Sequence, residues 1–340
     1  MGSTLFLVRF GEIGIKSPPV RRRFERLLAD NIARGLKARG APGEVQTTWG
    51  RLFVRASDRE GRDALAHTFG IVGFSPVREA PPGLDDLAAF VAREAALIPP
   101  RSTFAVRARR SGKEPYTSTD MARALGASIL QAHGARGLHV DLDAPDAEVH
   151  VEVRDGKAWV AFERVPGPGG LPVGSEGHVA AWLEEPRDAL ACWLLMKRGC
   201  RIDALAPRGA GEGLARALSA WDPALELTEV DAPGDDRALA LALLDAHARA
   251  HHGGAVAVGD RFLDALALSP LDRAIARPVF RPLLALEPAM LADIAARLGL
   301  PWSEDEERAL PTADVPKDAA ALEARATDLL KDARPRRLGL

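Results

Sequence analysis

Two runs of basic side chains are the residues of this 340-residue chain best placed to do chemistry. Arg9, Lys16, Arg21, Arg22, Arg23 and Arg26 form the first. Arg101, Arg107, Arg109, Arg110 and Lys113 form the second, with Glu114 the only acid between Arg101 and Thr117. Cations at this density on two separate elements suit a phosphate backbone, whose affinity comes from released counterions rather than from base reading. On charge alone, a well-solvated surface explains them equally well. Tyr116, the only tyrosine, and Trp49 supply rings able to stack on exposed bases, with packing the stronger claim on Trp49. The net charge of −2 hides a contrast between halves. Residues 1–176 carry 25 Lys+Arg against 21 Asp+Glu, which leaves 20 against 26 of the totals 45 and 47 for residues 177–340.

The remaining candidates favour structure over chemistry. Cys192 and Cys200 flank one apolar helical pattern, about 12 Å apart at 1.5 Å rise per residue, so they read as core thiols of a reducing compartment. His247, His251 and His252 have no acid or thiol at ligand spacing and read as a solvated helix end, so no metal is expected. Glu304-Asp305-Glu306-Glu307 reads as a helix-start charge cluster. Gly253-Gly254 precedes a strand instead of following one, and Gly209 to Gly213 lacks the full spacing of a phosphate loop. No run approaches the roughly 20 apolar residues that span a bilayer, and the opening alternates like a strand, so a cytoplasmic protein without a membrane partner is expected.

The elements that must hold these residues follow from hydrophobic period. Strands are predicted at Leu5–Phe10, Trp49–Ala56 and Phe74–Glu79, with helices at Arg22–Leu36 and Arg62–Phe69, a small α+β unit ending near Pro81. The next unit has a helix over Leu84–Ala96, a strand over Phe104–Arg109 and a helix capped by Ser118 or Thr119. A hairpin follows, Val149–Val153 and Ala158–Glu163, turning on Asp155-Gly156. Val165 to Gly174 is Gly/Pro-rich and is predicted to be a hinge without regular structure. Beyond it, strands at Val179–Leu183, Arg201–Ala206, Leu225–Asp231 and Ala255–Gly259 alternate with helices at Asp188–Arg198, Glu212–Trp221, Asp236–Ala250 and Pro288–Leu298. That alternation implies a parallel sheet with ligands beyond the strand carboxyl ends.

Laid in order, these segments resemble the tRNA 4-thiouridine sulfurtransferase (ThiI) family over nearly the whole chain. Arg9-Phe10-Gly11-Glu12-Ile13 through Lys16, Arg23-Phe24-Glu25 and Asn31-Ile32 look like its opening. Phe104 to Pro115, Thr117-Ser118 and Val151-Glu152-Val153-Arg154 look like its THUMP domain. Gly167 to Gly174, Met196-Lys197-Arg198-Gly199-Cys200 and Arg281-Pro282-Leu283 are similar to its hinge and catalytic domain. The resemblance implies an α/β chain: N-terminal α+β ferredoxin-like (1–80) and THUMP (81–164) domains, a hinge (165–176), and a parallel-sheet, Rossmann-like PP-loop ATP-pyrophosphatase domain (177–340). It implies tRNA as partner, held by Lys16, Arg21, Arg22, Arg23, Arg107, Arg109, Arg110, Lys113, Tyr116 and Thr117.

The chain departs from the family where catalysis would occur. The family's Ser-Gly-Gly-Ile-Asp-Ser loop grips ATP phosphates, and here Leu183 is followed by Glu184-Glu185-Pro186-Arg187-Asp188-Ala189. The glycines are absent, Pro186 has no N–H, and two carboxylates stand where an anion would sit. Like charges 4 Å apart repel by about 4 kcal/mol at an effective dielectric near 20, roughly three orders of magnitude in affinity. The family's late cysteine has no counterpart near Leu310-Pro311-Thr312, before Val315-Pro316-Lys317, and the segment after Gly259-Asp260 is simply apolar. The expectation is a pseudoenzyme with no catalytic residues and no cofactor, presenting tRNA to a modifying enzyme or pairing with an active paralogous subunit, with room for a homodimer. The alternative is an active sulfurtransferase using ATP with magnesium and a persulfide relayed by a partner or held on Cys192 or Cys200.

Overall fold

The computed structural model describes residues 2–48, 51–232, 236–303 and 318–340. Trp49, the acidic run Glu304 to Glu307, and the stretches Leu310 to Thr312 and Val315 to Lys317 lie outside them.

The first unit runs β1 (Ser3–Phe10), α1 (Pro18–Ala38), β2 (Glu44–Thr48), β3 (Arg51–Ser57), α2 (Asp58–Ala66) and β4 (Ile71–Ala80). The second runs α3 (Leu84–Glu94), β5 (Thr103–Ser111), α4 (Ser118–His133), β6 (His139–Val140), β7 (Ala147–Arg154), β8 (Lys157–Ala161) and β9 (Val165–Pro166). Alternation decides which face each strand buries. Phe6, Val8, Leu52 and Val54 pack under α1 and α2, while Val149, Val151 and Val153 pack under α3 and α4. The opposite face holds a smaller cluster, Leu7, Phe53, Val77 and Ala161, flanked by polar side chains.

The two front units share one sheet, ordered β2-β3-β1-β4-β8-β7-β5-β6. Residues Leu5 to Phe10 of β1 pair with Ile71 to Val77 of β4, and Arg78 to Ala80 of β4 pair with β8. The hairpin turns as its sequence demands, with φ of 52° at Asp155 and 73° at Gly156. The cap of α4 is Thr117, one residue before the predicted pair. Its hydroxyl accepts from the Asp120 amide in a reciprocal capping box.

The back unit is a six-stranded sheet, β14-β13-β10-β11-β12-β15, built from β10 (His178–Trp182), α5 (Pro186–Lys197), β11 (Arg201–Pro207), α6 (Glu212–Ser219), β12 (Glu226–Val230), α7 (Arg237–Ala250), β13 (Ala255–Ala257), α8 (Phe262–Leu268), β14 (Val279–Phe280), α9 (Pro288–Leu298), α10 (Ala319–Lys331) and β15 (Pro335–Arg337). Its core strands are parallel, as predicted, and β15 adds an antiparallel edge on β12. Among the described residues no helix is long and apolar enough to cross a membrane.

The expected hinge is a strap instead. Val165-Pro166 pairs with β4, the Gly169 amide donates to the Ile71 carbonyl at 2.8 Å, and the Leu171 amide donates to that of Lys197 at 3.0 Å. Leu171 is buried in the first unit's core. Beside the strap, Phe69 stacks on Trp221 at 5.0 Å and meets Trp193 edge-on at 5.2 Å, joining first and back units through aromatic contact. The composition that suggested flexibility serves close approach: a Cβ on Gly170 would lie 2.2 Å from the Lys197 carbonyl oxygen, at φ +76°. At Gly169, with φ +69°, a Cβ would meet nothing within 4 Å. Gly169→Ala should therefore cost about 1–2 kcal/mol of backbone strain. Gly170→Ala should cost about 1–3 kcal/mol beyond that, a gap readable by denaturant titration of the two variants.

Candidate nucleic-acid interface

The face of the shared sheet opposite the helices carries Arg9 from β1, Arg107 and Arg109 from β5, and Glu148, His150 and Glu152 from β7. They line a hollow of about 230 Å³ with Trp159 and Arg164. Arg164 arrives there through a register change. β8 pairs Arg78 with Val160, yet β9 pairs Gly73 with Pro166, so four residues on one side oppose three on the other. A bulge of this kind re-aims the side chains within it.

The charges in this hollow are unevenly satisfied. Arg107 binds Glu148 at 2.7 Å, and Arg51 binds Glu152 at 3.2 Å. Arg9 donates to the Ser75 hydroxyl at 2.9 Å. Arg109 and Arg164 have no ion-pair partner among the described residues. Burial, then the repulsion of Arg164, pushes the Arg9 guanidinium down to about 10. Burial also holds the His150 imidazole below its ordinary value, although Glu148 pulls it up. Beyond Glu152 a second hollow of about 360 Å³ contains Phe53 and Trp159, rings 4.9 Å apart, with Arg51, Arg55, Arg154 and Lys157 around them.

The two basic runs do not form one site. Lys16, Arg21 and Arg22 line a different hollow of about 330 Å³ with Thr47 and Thr48, and Arg21 binds Glu25 at 2.8 Å. Arg23 is exposed on α1, and Lys113 is exposed in the turn after β5. Arg110 does not reach outward: it donates to the carbonyls of Gly112 and Glu114 and so holds that turn. Tyr116 does not face solvent either. Its ring is buried and its hydroxyl donates to the Pro82 carbonyl, which leaves no face for a base. Thr117 works as a helix cap. His150, Trp159 and Arg164 were not legible as site residues, because only strand pairing brings them to Arg9.

In the back unit, Glu184 and Glu185 are not what fills the anion position. The Glu184 carboxylate accepts from the Trp182 indole at 2.9 Å, and Glu185 pairs with Arg187 at 2.5 Å. The carboxylate at the head of α5 is Asp188, which accepts from the amides of Glu184 at 3.0 Å, Glu185 at 2.9 Å and Gly259 at 3.1 Å. Helix α5 already begins at Pro186, so Asp188 folds back one turn onto those donors. Burial pushes its carboxyl up to about 6, with the Glu185 amide and Arg237 pulling the other way. The neighbouring arginines are also engaged: Arg187 with Asp264 at 2.7 Å, Arg237 with Asp260 at 2.7 Å, and Arg281 with Asp260 at 3.0 Å and Asp272 at 2.8 Å. A small cavity of about 10 Å³, room for about one water, lies between Trp182, Arg237, Asp260 and the apolar side chains of Leu241, Leu268 and Leu271.

The other candidates resolve structurally. Cys192 and Cys200 are free and buried, and burial pushes both thiols up, away from the thiolate that a nucleophile needs. At the glycine string, the Gly209 amide donates to Glu229 at 3.1 Å. No group of three potential metal ligands occurs among the described residues. His247 is not solvated: it is buried in α7 with its ring 4.3 Å from that of His251.

The fold and this cleft define a ferredoxin-like and THUMP front module joined to a parallel α/β unit. Residues 5–75 match the ThiI ferredoxin-like domain and residues 85–163 match the THUMP domain. A probable tRNA sulfurtransferase of Halobacterium salinarum is 35% identical over 83% of this chain and 81% of its own length. One of Methanosarcina acetivorans is 35% identical over 67% of this chain and 59% of its own, so the chain spans about three-fifths of that relative. The crystal structure of PH1313 from Pyrococcus horikoshii aligns with a TM-score of 0.72 at 29% identity, over 87% of this chain and 100% of that one. A 4-thiouridine synthetase in complex with RNA and ATP shares the fold, with a TM-score of 0.78 at 23% identity over 98% and 99% of the two chains. The chain belongs to the tRNA sulfurtransferase (ThiI) family.

Burial of His247, then the charge of His251, pushes its imidazole down to about 4 from 6.5. A depressed folded value means that stability present above pH 6.5 is lost as pH falls toward 4. His247→Gln should lose less stability than the parent between pH 7 and pH 4, by up to about 3 kcal/mol, in denaturant titrations at the two pH values.

Proposed function

We propose that the chain binds tRNA through its front module, that its back unit does not turn over ATP, and that it serves tRNA modification by presenting tRNA to a modifying enzyme or an active partner subunit. One contrast carries this reading. The sheet face of the front module keeps Arg109 and Arg164 without carboxylate partners, whereas Arg187, Arg237 and Arg281 at the would-be nucleotide site are each tied to an internal acid. Unpaired guanidiniums in a hollow are available for phosphate oxygens, and paired ones must break an ion pair first. The names of the relatives favour a second reading, ATP-dependent transfer of sulfur to tRNA. It would need a triphosphate beside Asp188 and a thiol on Cys192, Cys200 or a partner.

Filter binding of tRNA over a salt series tests the first reading, with affinity falling steeply as salt rises. Arg109→Ala should flatten the slope of log affinity against log salt by about one unit, while Arg110→Ala, which loosens only a turn, should change that slope less. Incubation of the chain with ATP and magnesium, with or without tRNA, should release no diphosphate or phosphate. Formation of 4-thiouridine in tRNA incubated with the chain, ATP and a sulfur donor would overturn the inactive reading.

A further inference from the structure

The hollow between β1, β5, β7 and the bulge after β8 gathers charge at one point. Four guanidiniums, of Arg9, Arg107, Arg109 and Arg164, line it with two carboxylates, of Glu148 and Glu152, a balance of two positive charges while His150 is neutral. Both acids are already engaged, one with Arg107 and the other with Arg51 outside the hollow. Burial first, and then the repulsion of Arg164, lowers the affinity of Arg9 for its proton. A site that only tracked a backbone would set its cations in a row, one per phosphodiester, as the charge on a strand is spaced. Here the cations come from separate elements and converge on one small cavity. A phosphomonoester brings nearly two charges and three free oxygens to a single point, the arrangement forked guanidiniums take best.

We propose that this hollow seats a terminal phosphomonoester and, on the tRNA reading above, the 5′-terminal phosphate of the bound RNA. Internal phosphates would then fall to the separate basic hollow of Lys16 and Arg22. Arg109 and Arg164 take the terminal oxygens, and Arg9, held by Ser75, supplies the third cation from below.

The test uses the full chain and one tRNA prepared with either a 5′-monophosphate or a 5′-hydroxyl. The monophosphate form should bind about tenfold tighter, a preference that disappears when Arg109→Ala and Arg164→Ala are combined. In parallel, calorimetry compares AMP with adenosine as the smallest probes of the same chemistry, on parent and double variant. A preference for the phosphorylated probe that depends on Arg109 and Arg164, in either experiment, supports the site. Equal binding of both tRNA forms, with AMP bound no better than adenosine, overturns it, as does a preference that survives the double substitution. If the chain took AMP into this hollow yet bound no tRNA, the pocket would stand and the tRNA reading would fall.

Discussion

Strand β4 hydrogen-bonds to β1 along residues 71–77 and to β8 along residues 78–80, so neither front unit can turn on the other without breaking ladder bonds. Everything on the open sheet face inherits that constraint. Arg9 belongs to the ferredoxin-like unit, Arg107, Arg109 and His150 belong to the THUMP unit, and the shared strand fixes them around one hollow. The register change between β8 and β9 along the same strand then brings Arg164 to its rim. Prearranged cations of this kind need little reorganisation when an anion arrives, which is the condition under which charge–charge contacts contribute most.

The back unit shows the opposite electrostatic solution. At the carboxyl ends of its parallel strands, where sheets of this class receive ligands, the amides of Glu184, Glu185 and Gly259 bind the Asp188 carboxylate, and Arg237 binds Asp260. A buried ion pair broken on one side leaves an uncompensated charge, at a cost of about 3–5 kcal/mol. The parallel sheet and its helices are kept, so the unit remains a firm support for the strap and for the Phe69–Trp193–Trp221 contact.

Much of this was legible in the sequence, and what was not has physical causes. Helix α9 was bounded correctly because Pro288 opens it and Gly299, at φ +66°, closes it, both local signals. The hairpin at Asp155-Gly156 was equally local. Helix α8 was missed because its segment is apolar on both its buried side, Ala267 and Leu268, and its exposed side, Phe262, Leu263 and Leu266, so no period separates the two. Strand β15 was missed because three residues, Pro-Arg-Arg, say nothing of pairing, and ion pairs from Arg336 to Glu229 and from Arg337 to Glu226 hold it. The basic runs were visible, but which members face a ligand was not. Arg110 and Tyr116 turn to nearby carbonyls, while Arg164 depends on a register set against residues about 90 positions away. The strap was misread because glycine and proline mark both loose linkers and tight approaches, and only the carbonyls of Ile71 and Lys197 distinguish them.

That strap has a geometric consequence. Anchored on β4 at one end and on the turn after α5 at the other, it acts as a brace of fixed length between the front sheet and the back unit. Hydrogen-bonded at both ends, it resists sliding and twisting of one module against the other.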